Sequence, residues 1–146
     1  MNKYAIVGYS LRFPKAKNEK EFWDNLVNAK DCIQHNNNIP DRQFVGSYGK
    51  LDDIYDFDAD FFGISKRDAV NMDPQQRYLI TLCQEALEHA NHKISDEKNV
   101  GLFAGIGDFF YVWKNLFEEY RDLDEAKLLN TAYMDGTATL RASYTL

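Results

Sequence analysis

Apolar residues follow two rhythms along this chain. Unbroken runs occupy residues 4–9 (Tyr-Ala-Ile-Val-Gly-Tyr) and 100–106 (Val-Gly-Leu-Phe-Ala-Gly-Ile). Both are too brief for helices and read as buried strands. Elsewhere the rhythm is helical. Asn18 is a good N-cap and Glu21, three residues on, completes a capping box. Phe22, Trp23, Leu26 and Val27 then recur at helical spacing, which predicts a helix that buries one stripe. A polar, Asn-rich stretch at 34–43 containing Pro40 reads as a loop. Residues 44–64 place Gly46, Gly49 and Gly63 among alternating aromatics and acids, which predicts a short hairpin and an irregular excursion.

Ser65 with Asp68 predicts one capped helical turn. A stronger start follows: Asp73 as N-cap, Pro74 at the first helical position and Gln76 placed to bond back. Leu79, Leu82, Cys83, Ala86, Leu87 and Ala90 fall on one face behind it, predicting a long amphipathic helix over 74–91. Asp108 caps a further helix carrying Phe109, Val112, Trp113, Leu116, Phe117 and Tyr120, and residues 126–146 mix helical and loop signals. Strand, helix, helix, strand, helix is the order of a parallel α/β sheet, here a thin one. There are no internal repeats and no linker, so the chain reads as one domain or part of one.

With 146 residues, a compact chain buries roughly 68–70% of its unfolded surface, enough for a core without staples. Hydrophobic residues at 45% against 27% charged exclude a disordered chain. The net charge of −6, with no cluster of Lys and Arg, argues against nucleic acid as a partner. No apolar run approaches the roughly 20 residues needed to cross a bilayer. The first residues carry no signal-peptide pattern. Cys32 and Cys83 show no framework spacing, which suits a reducing compartment. The expectation is a soluble, cytoplasmic, globular domain.

The candidate sites fail on their own chemistry. Asp56, Asp58 and Asp60 imitate a calcium loop, but Phe61 and Arg67 stand where Gly and Glu are required. Gly105-Ile-Gly107 opens like a dinucleotide fingerprint, yet Phe110 replaces the third glycine and Asp108 would repel a phosphate. Close backbone packing suits these glycines better. Cys83, in the middle of the apolar helix face, is expected to behave as a small hydrophobe with a raised pKa. Cys32 follows Asp31 and has no basic neighbour to favour its thiolate. His89 and His92 are two potential ligands, too few for zinc, and suit the negative end of the helix dipole. His35 lies in the Asn-rich stretch with no partner indicated. No catalytic, cofactor-binding or metal-ligating residue is therefore assigned.

Several segments in order resemble the β-ketoacyl synthase family, in particular the ketosynthase domains of modular polyketide synthases. They are Tyr4-Ala5-Ile6-Val7-Gly8-Tyr9-Ser10-Leu11-Arg12-Phe13-Pro14, Phe22-Trp23-Asp24-Asn25-Leu26 with Lys30-Asp31, and Asp58-Ala59-Asp60-Phe61-Phe62-Gly63-Ile64-Ser65. Met72-Asp73-Pro74-Gln75-Gln76-Arg77, Glu85-Ala86-Leu87-Glu88 and Val100-Gly101-Leu102-Phe103 continue the series. Leu140-Arg141-Ala142-Ser143-Tyr144 resembles the family's Gly-Arg-Ile-Ser-Tyr, with Leu for Gly and Ala for Ile.

The resemblance implies a partial thiolase-like α/β fold: the front part of the N-terminal half of a ketosynthase, an incomplete sheet with flanking helices, spanning 1–146. It implies decarboxylative Claisen condensation for the whole domain, between a cysteine-bound acyl group and a malonyl-type extender carried by phosphopantetheine on an acyl carrier protein. Two histidines assist, and a helix N-terminus and backbone donors favour the thiolate and the thioester oxygen. In the family all three catalytic residues follow the segment resembled by 140–144. None of Cys32, Cys83, His35, His89 and His92 matches them, so the chain is expected to be inactive alone and to bind no cofactor itself. Pocket residues that set acyl length, extender unit and product are also largely absent. Expected partners are acyl carrier protein, the remaining synthase domains and, through uncovered apolar faces, a second copy. The Asp108–Tyr120 helix is the element expected to be displaced in such a pairing, and Met72–Arg77 is read as a cap and packing point. The alternative is a non-catalytic interaction module that binds a carrier protein or a complementary synthase fragment.

Overall fold

A proline at the first helical position, with an acceptor just before it, starts the longest helix among the described residues. The computed structural model describes residues 3–36, 46–92, 100–107, 111 and 137–146. In chain order its elements are α1 (Glu19–Val27), β1 (Ile33–His35), β2 (Ser47–Gly49), α2 (Lys66–Asn71), α3 (Pro74–His89) and α4 (Thr137–Thr145). At the head of α3 the Asp73 carboxylate accepts from the Gln75 N–H at 2.7 Å, satisfying one of the donors a helix start leaves open. The expected span of 74–91 is met to within two residues. Ser65 caps α2 as expected: its Oγ accepts from the Asp68 N–H at 3.1 Å and donates to Asp68 Oδ2 at 2.8 Å. At α1 the Asn18 side chain accepts from the Glu21 N–H at 2.9 Å. The reciprocal bond runs to the preceding residue, with Lys17 N–H donating to Glu21 Oε2 at 2.9 Å.

The residues fall into two compact units, one of 1–9 with 55–146 and one of 10–54. In the first, the core is Met72, Ile80 and Ala142, all fully buried, with Phe62, Ile64, Leu79, Leu102 and Leu146 packed around them. Ala138 and Ala142, one turn apart on α4, are the small residues turned to this core. Gly63 adopts φ +64° in the turn before α2, a conformation that favours glycine. In the second unit β1 and β2 form an antiparallel ribbon with Ile33 opposite Gly49, Gln34 opposite Tyr48 and His35 opposite Ser47. Phe13 and Phe22 stack there with ring centroids 4.5 Å apart.

Several expectations are corrected. Residues 4–9 and 100–106 form no strand, and no parallel pair occurs among the described residues. A strand exists only by pairing its backbone with a neighbour, and no described segment offers one. Tyr4 is 91%, Ile6 90%, Val7 74% and Phe103 96% exposed. The hairpin expected within 44–64 instead pairs β2 with β1, across the Asn-rich stretch. Helix α1 buries no residue, because only Phe22 of its stripe meets an aromatic partner. On α3 the deeply buried positions are Gln76, Arg77 and Ile80, while the stripe from Leu79 to Ala90 is half-buried. The expected helix over 108–120, apart from Tyr111, and the stretch 126–136 lie outside the described residues.

Candidate functional site

The most densely buried polar chemistry sits where α2 hands over to α3. Asn71, Asp73, Gln76 and Arg77 are all buried beside Met72. Burial of such groups is tolerable when they are bonded, and the Met72–Arg77 segment is bonded in part: its cap and the outer guanidinium nitrogen have partners, while the buried Arg77 Nε has none among the described residues. Its cap closes on Gln75, and the Arg77 carbonyl accepts from Thr81 Oγ1 at 3.1 Å. The Arg77 guanidinium donates to Tyr111 Oη at 3.3 Å and lies 5.6 Å from the centre of that ring. Tyr111 Oη donates onward to the Val70 carbonyl at 3.2 Å, tying α2 to α3 through two side chains.

Beside this junction lies an open cleft of about 370 Å³ lined by Tyr55, Phe57, Asp58, Asp60, Lys66 and Arg77 among others. Two carboxylates face two cations, so the lining carries no single sign that would select an ionic ligand. Among the described residues no cysteine, histidine, serine or threonine lines it. The junction is a packing device, as expected of Met72–Arg77.

The residues singled out by sequence are dispersed. Asp58 Oδ1 accepts from the Phe61 N–H at 3.0 Å, a turn-forming bond, and Asp56, Asp58 and Asp60 hold no metal geometry. Gly107 N–H donates to Gln75 Oε1 at 2.9 Å, and a β-carbon there would come within 3.4 Å of that oxygen. A 3.4 Å approach to the end of a flexible side chain is ordinary contact, so the close-packing reading is corrected at Gly107 as it is at Gly105, which has nothing within 4 Å. Gly8, which no sequence signal marked, makes the tightest approach. A β-carbon on it would lie 2.8 Å from Ala90 Cβ and also collide with the Ala86 carbonyl.

Cys83 is half-buried on α3, and burial pushes its thiol above the ordinary value. Cys32 points its Sγ at the Lys30 carbonyl, 3.5 Å away. His89 occupies the last turn of α3, accepts the Tyr9 N–H on Nδ1 at 3.2 Å and meets the Tyr9 ring edge-on at 4.5 Å. His92 lies past the helix end, where its N–H donates to the Leu87 carbonyl. His35 corrects the sequence reading: it belongs to β1 and has two side-chain partners, Asp31 Oδ2 and Ser47 Oγ, each at 2.9 Å. Its partner Ser47 lies beyond the Asn-rich stretch, and no sequence signal pairs the two.

The whole chain, residues 1–146, matches the family model described as beta-ketoacyl synthase, N-terminal domain. Among curated proteins it is 34% identical to the hybrid PKS-NRPS synthetase TAS1 of Botryobasidium botryosum, over 99% of this chain and 9% of that protein. It is 38% identical to the polyketide synthase PksN of Bacillus subtilis, over 73% of this chain and 2% of that protein. Among solved structures, the ketosynthase from module 1 of the bacillaene synthase of Bacillus amyloliquefaciens FZB42 matches with a TM-score of 0.70 and 26% identity, over 97% of this chain and 26% of that one. The ketosynthase from module 6 of the Bacillus subtilis 168 bacillaene synthase matches with a TM-score of 0.51 and 42% identity, over 57% of this chain and 16% of that one. These neighbours show the fold to be a partial thiolase-like one. The chain spans less than a tenth of the length of those two curated relatives.

Proposed function

The chain belongs to the beta-ketoacyl synthase family, matching its N-terminal domain from residue 1 to residue 146, and on that premise we propose that it supplies scaffold, and none of the condensing residues, to a polyketide synthase ketosynthase. The observation that carries this reading is the buried Met72–Arg77 junction: one of the two most recognisable family segments here is committed to capping and packing. The condensing reaction is decarboxylative Claisen chemistry on carrier-bound thioesters, performed by a cysteine and two histidines that this sequence does not place. Cys83 supports the reading, since a thiol whose ionisation is suppressed by burial makes a poor acyl acceptor. Incubation with an acyl-loaded carrier protein and a malonyl extender should leave both cysteines unacylated and form no β-ketoacyl product. A thioester on Cys32 or Cys83 overturns the proposal.

The exposed side chains of Tyr4, Ile6, Val7 and Phe103 support a chain that meets further protein, either more of a ketosynthase or a second copy. Sedimentation of the isolated chain should show concentration-dependent self-association; a monodisperse monomer at every concentration contradicts it. The same exposed surface supports the second reading, an interaction module, which calorimetric titration with a carrier protein tests through a saturable heat.

A further inference from the structure

The β1–β2 ribbon assembles three side chains that the ketosynthase reading does not use. The register sets His35 directly opposite Ser47, and cross-strand partners are close enough for their side chains to meet. His35 Nδ1 lies 2.9 Å from Ser47 Oγ and His35 Nε2 lies 2.9 Å from Asp31 Oδ2. Asp31 is itself held in place. Its Oδ1 accepts from the Ile33 N–H at 2.9 Å, and its carbonyl accepts from Lys15 Nζ at 2.9 Å.

The tautomer follows from the partners. An ionised carboxylate only accepts, so a neutral imidazole must carry its proton on Nε2, facing Asp31. The lone pair on Nδ1 is then turned to the Ser47 hydroxyl. The His35 hydrogen bond, followed by that from Ile33, lowers the Asp31 pKa, so the carboxylate stays ionised across the neutral range. This is the order acceptor carboxylate, orienting imidazole, hydroxyl nucleophile that activates a serine, with the two ring nitrogens exchanged.

We propose that Ser47, with His35 as its base and Asp31 as the group that orients the base, is an acyl-acceptor site for activated acyl thioesters and esters. Ser47 Oγ attacks the acyl carbon while its proton passes to His35 Nδ1. The C–O bond forms, the bond to the leaving thiolate breaks, and the imidazolium returns the proton to that thiolate. The products are an O-acyl Ser47 and a free thiol. The His35 and Asp31 side chains are 51% and 65% exposed, so substrate can reach the imidazole. Water also weakens its bonds, which restricts the site to acyl groups with good leaving groups.

The intact chain, treated with a fluorophosphonate probe and separately with p-nitrophenyl acetate, tests this directly. Ser47 should take up one adduct, located by peptide mass mapping, while the urea-unfolded chain reacts only at background. Ser47→Ala should abolish the adduct. His35→Gln should slow it at least about tenfold, below the usual contribution of a positioned base because the site is exposed. No adduct on Ser47 of the folded chain overturns the proposal, as does an equal rate in the unfolded chain or in His35→Gln. An adduct on Cys32 or Cys83 instead would count against the ketosynthase-scaffold reading, so the two fail separately.

Discussion

Helix α3 and the segments 4–7 and 100–106 are all rich in apolar side chains, and the structure treats them in opposite ways. α3 satisfies its own backbone through i to i−4 bonds, needs only a cap at each end, and can then lay Ile80 into a core with Met72 and Ala142. The other two segments hold the same kind of side chains but have no described strand beside their backbones. They remain exposed except at Leu102, which meets the core, and the half-buried Ile106; just after residue 7, Gly8 against α3 and the Tyr9 N–H on His89 anchor the chain. A helix carries its secondary structure within itself, whereas a strand borrows half of its own from another segment.

That contrast can be broken from either side. Ile80→Ala should have the largest effect, about 2–5 kcal/mol lost in urea unfolding, because the fully buried side chain leaves a cavity between α3 and α4. Gly8→Ala comes next. Its β-carbon has no room beside Ala86 and Ala90, so about 1–3 kcal/mol should be lost. If Gly8→Ala is neutral, the N-terminal segment is not anchored on α3. Asp73→Ala should cost about 1 kcal/mol by removing the cap of α3. Ile6→Lys should change stability by no more than about 0.5 kcal/mol, since the side chain is exposed, yet reduce self-association in sedimentation.

A pH measurement sharpens the same contrast. The Cys83 thiol is raised by burial on α3, so the folded chain holds that proton at a pH where the unfolded chain has begun to release it. Stability from this group is present below the unfolded thiol value and is lost as pH rises through the folded one. Alkylation of Cys83 near pH 8.5, the ordinary thiol range, should accordingly be slower in the folded chain than in the unfolded one. Equal rates would mean that the α3 face is open.

The local chemistry was legible in the residues. Asn18, Ser65 and Asp73 each cap the helix they announce, because a cap is a bond between residues two or three apart. What was not legible depends on distant partners. Residues 4–9 and 100–106 read as strands from their apolar runs, but the runs carry no statement of which backbone pairs with them. His35 lacked a visible partner because Ser47 is brought opposite it only by the ribbon. Ile80 lies one step around the helix from the predicted stripe, and Gln76 and Arg77 are polar residues of kinds seldom buried. Both α1 and α3 end on non-glycine residues at positive φ, Ala29 and Asn91. Lys30 N–H to the Asn25 carbonyl and His92 N–H to the Leu87 carbonyl close those ends, without the glycine that usually signals them.

Amide hydrogen exchange on the dilute chain tests the central contrast most directly. The amides in the interior of α3 should be the slowest to exchange, while those of Ile6, Val7 and Phe103 should exchange near the rate of an unstructured peptide and slow only as concentration or a partner is added. Protection of Ile6, Val7 and Phe103 at dilution, equal to that of Ile80, would contradict the account, because it would mean that these segments are already paired strands within a single chain.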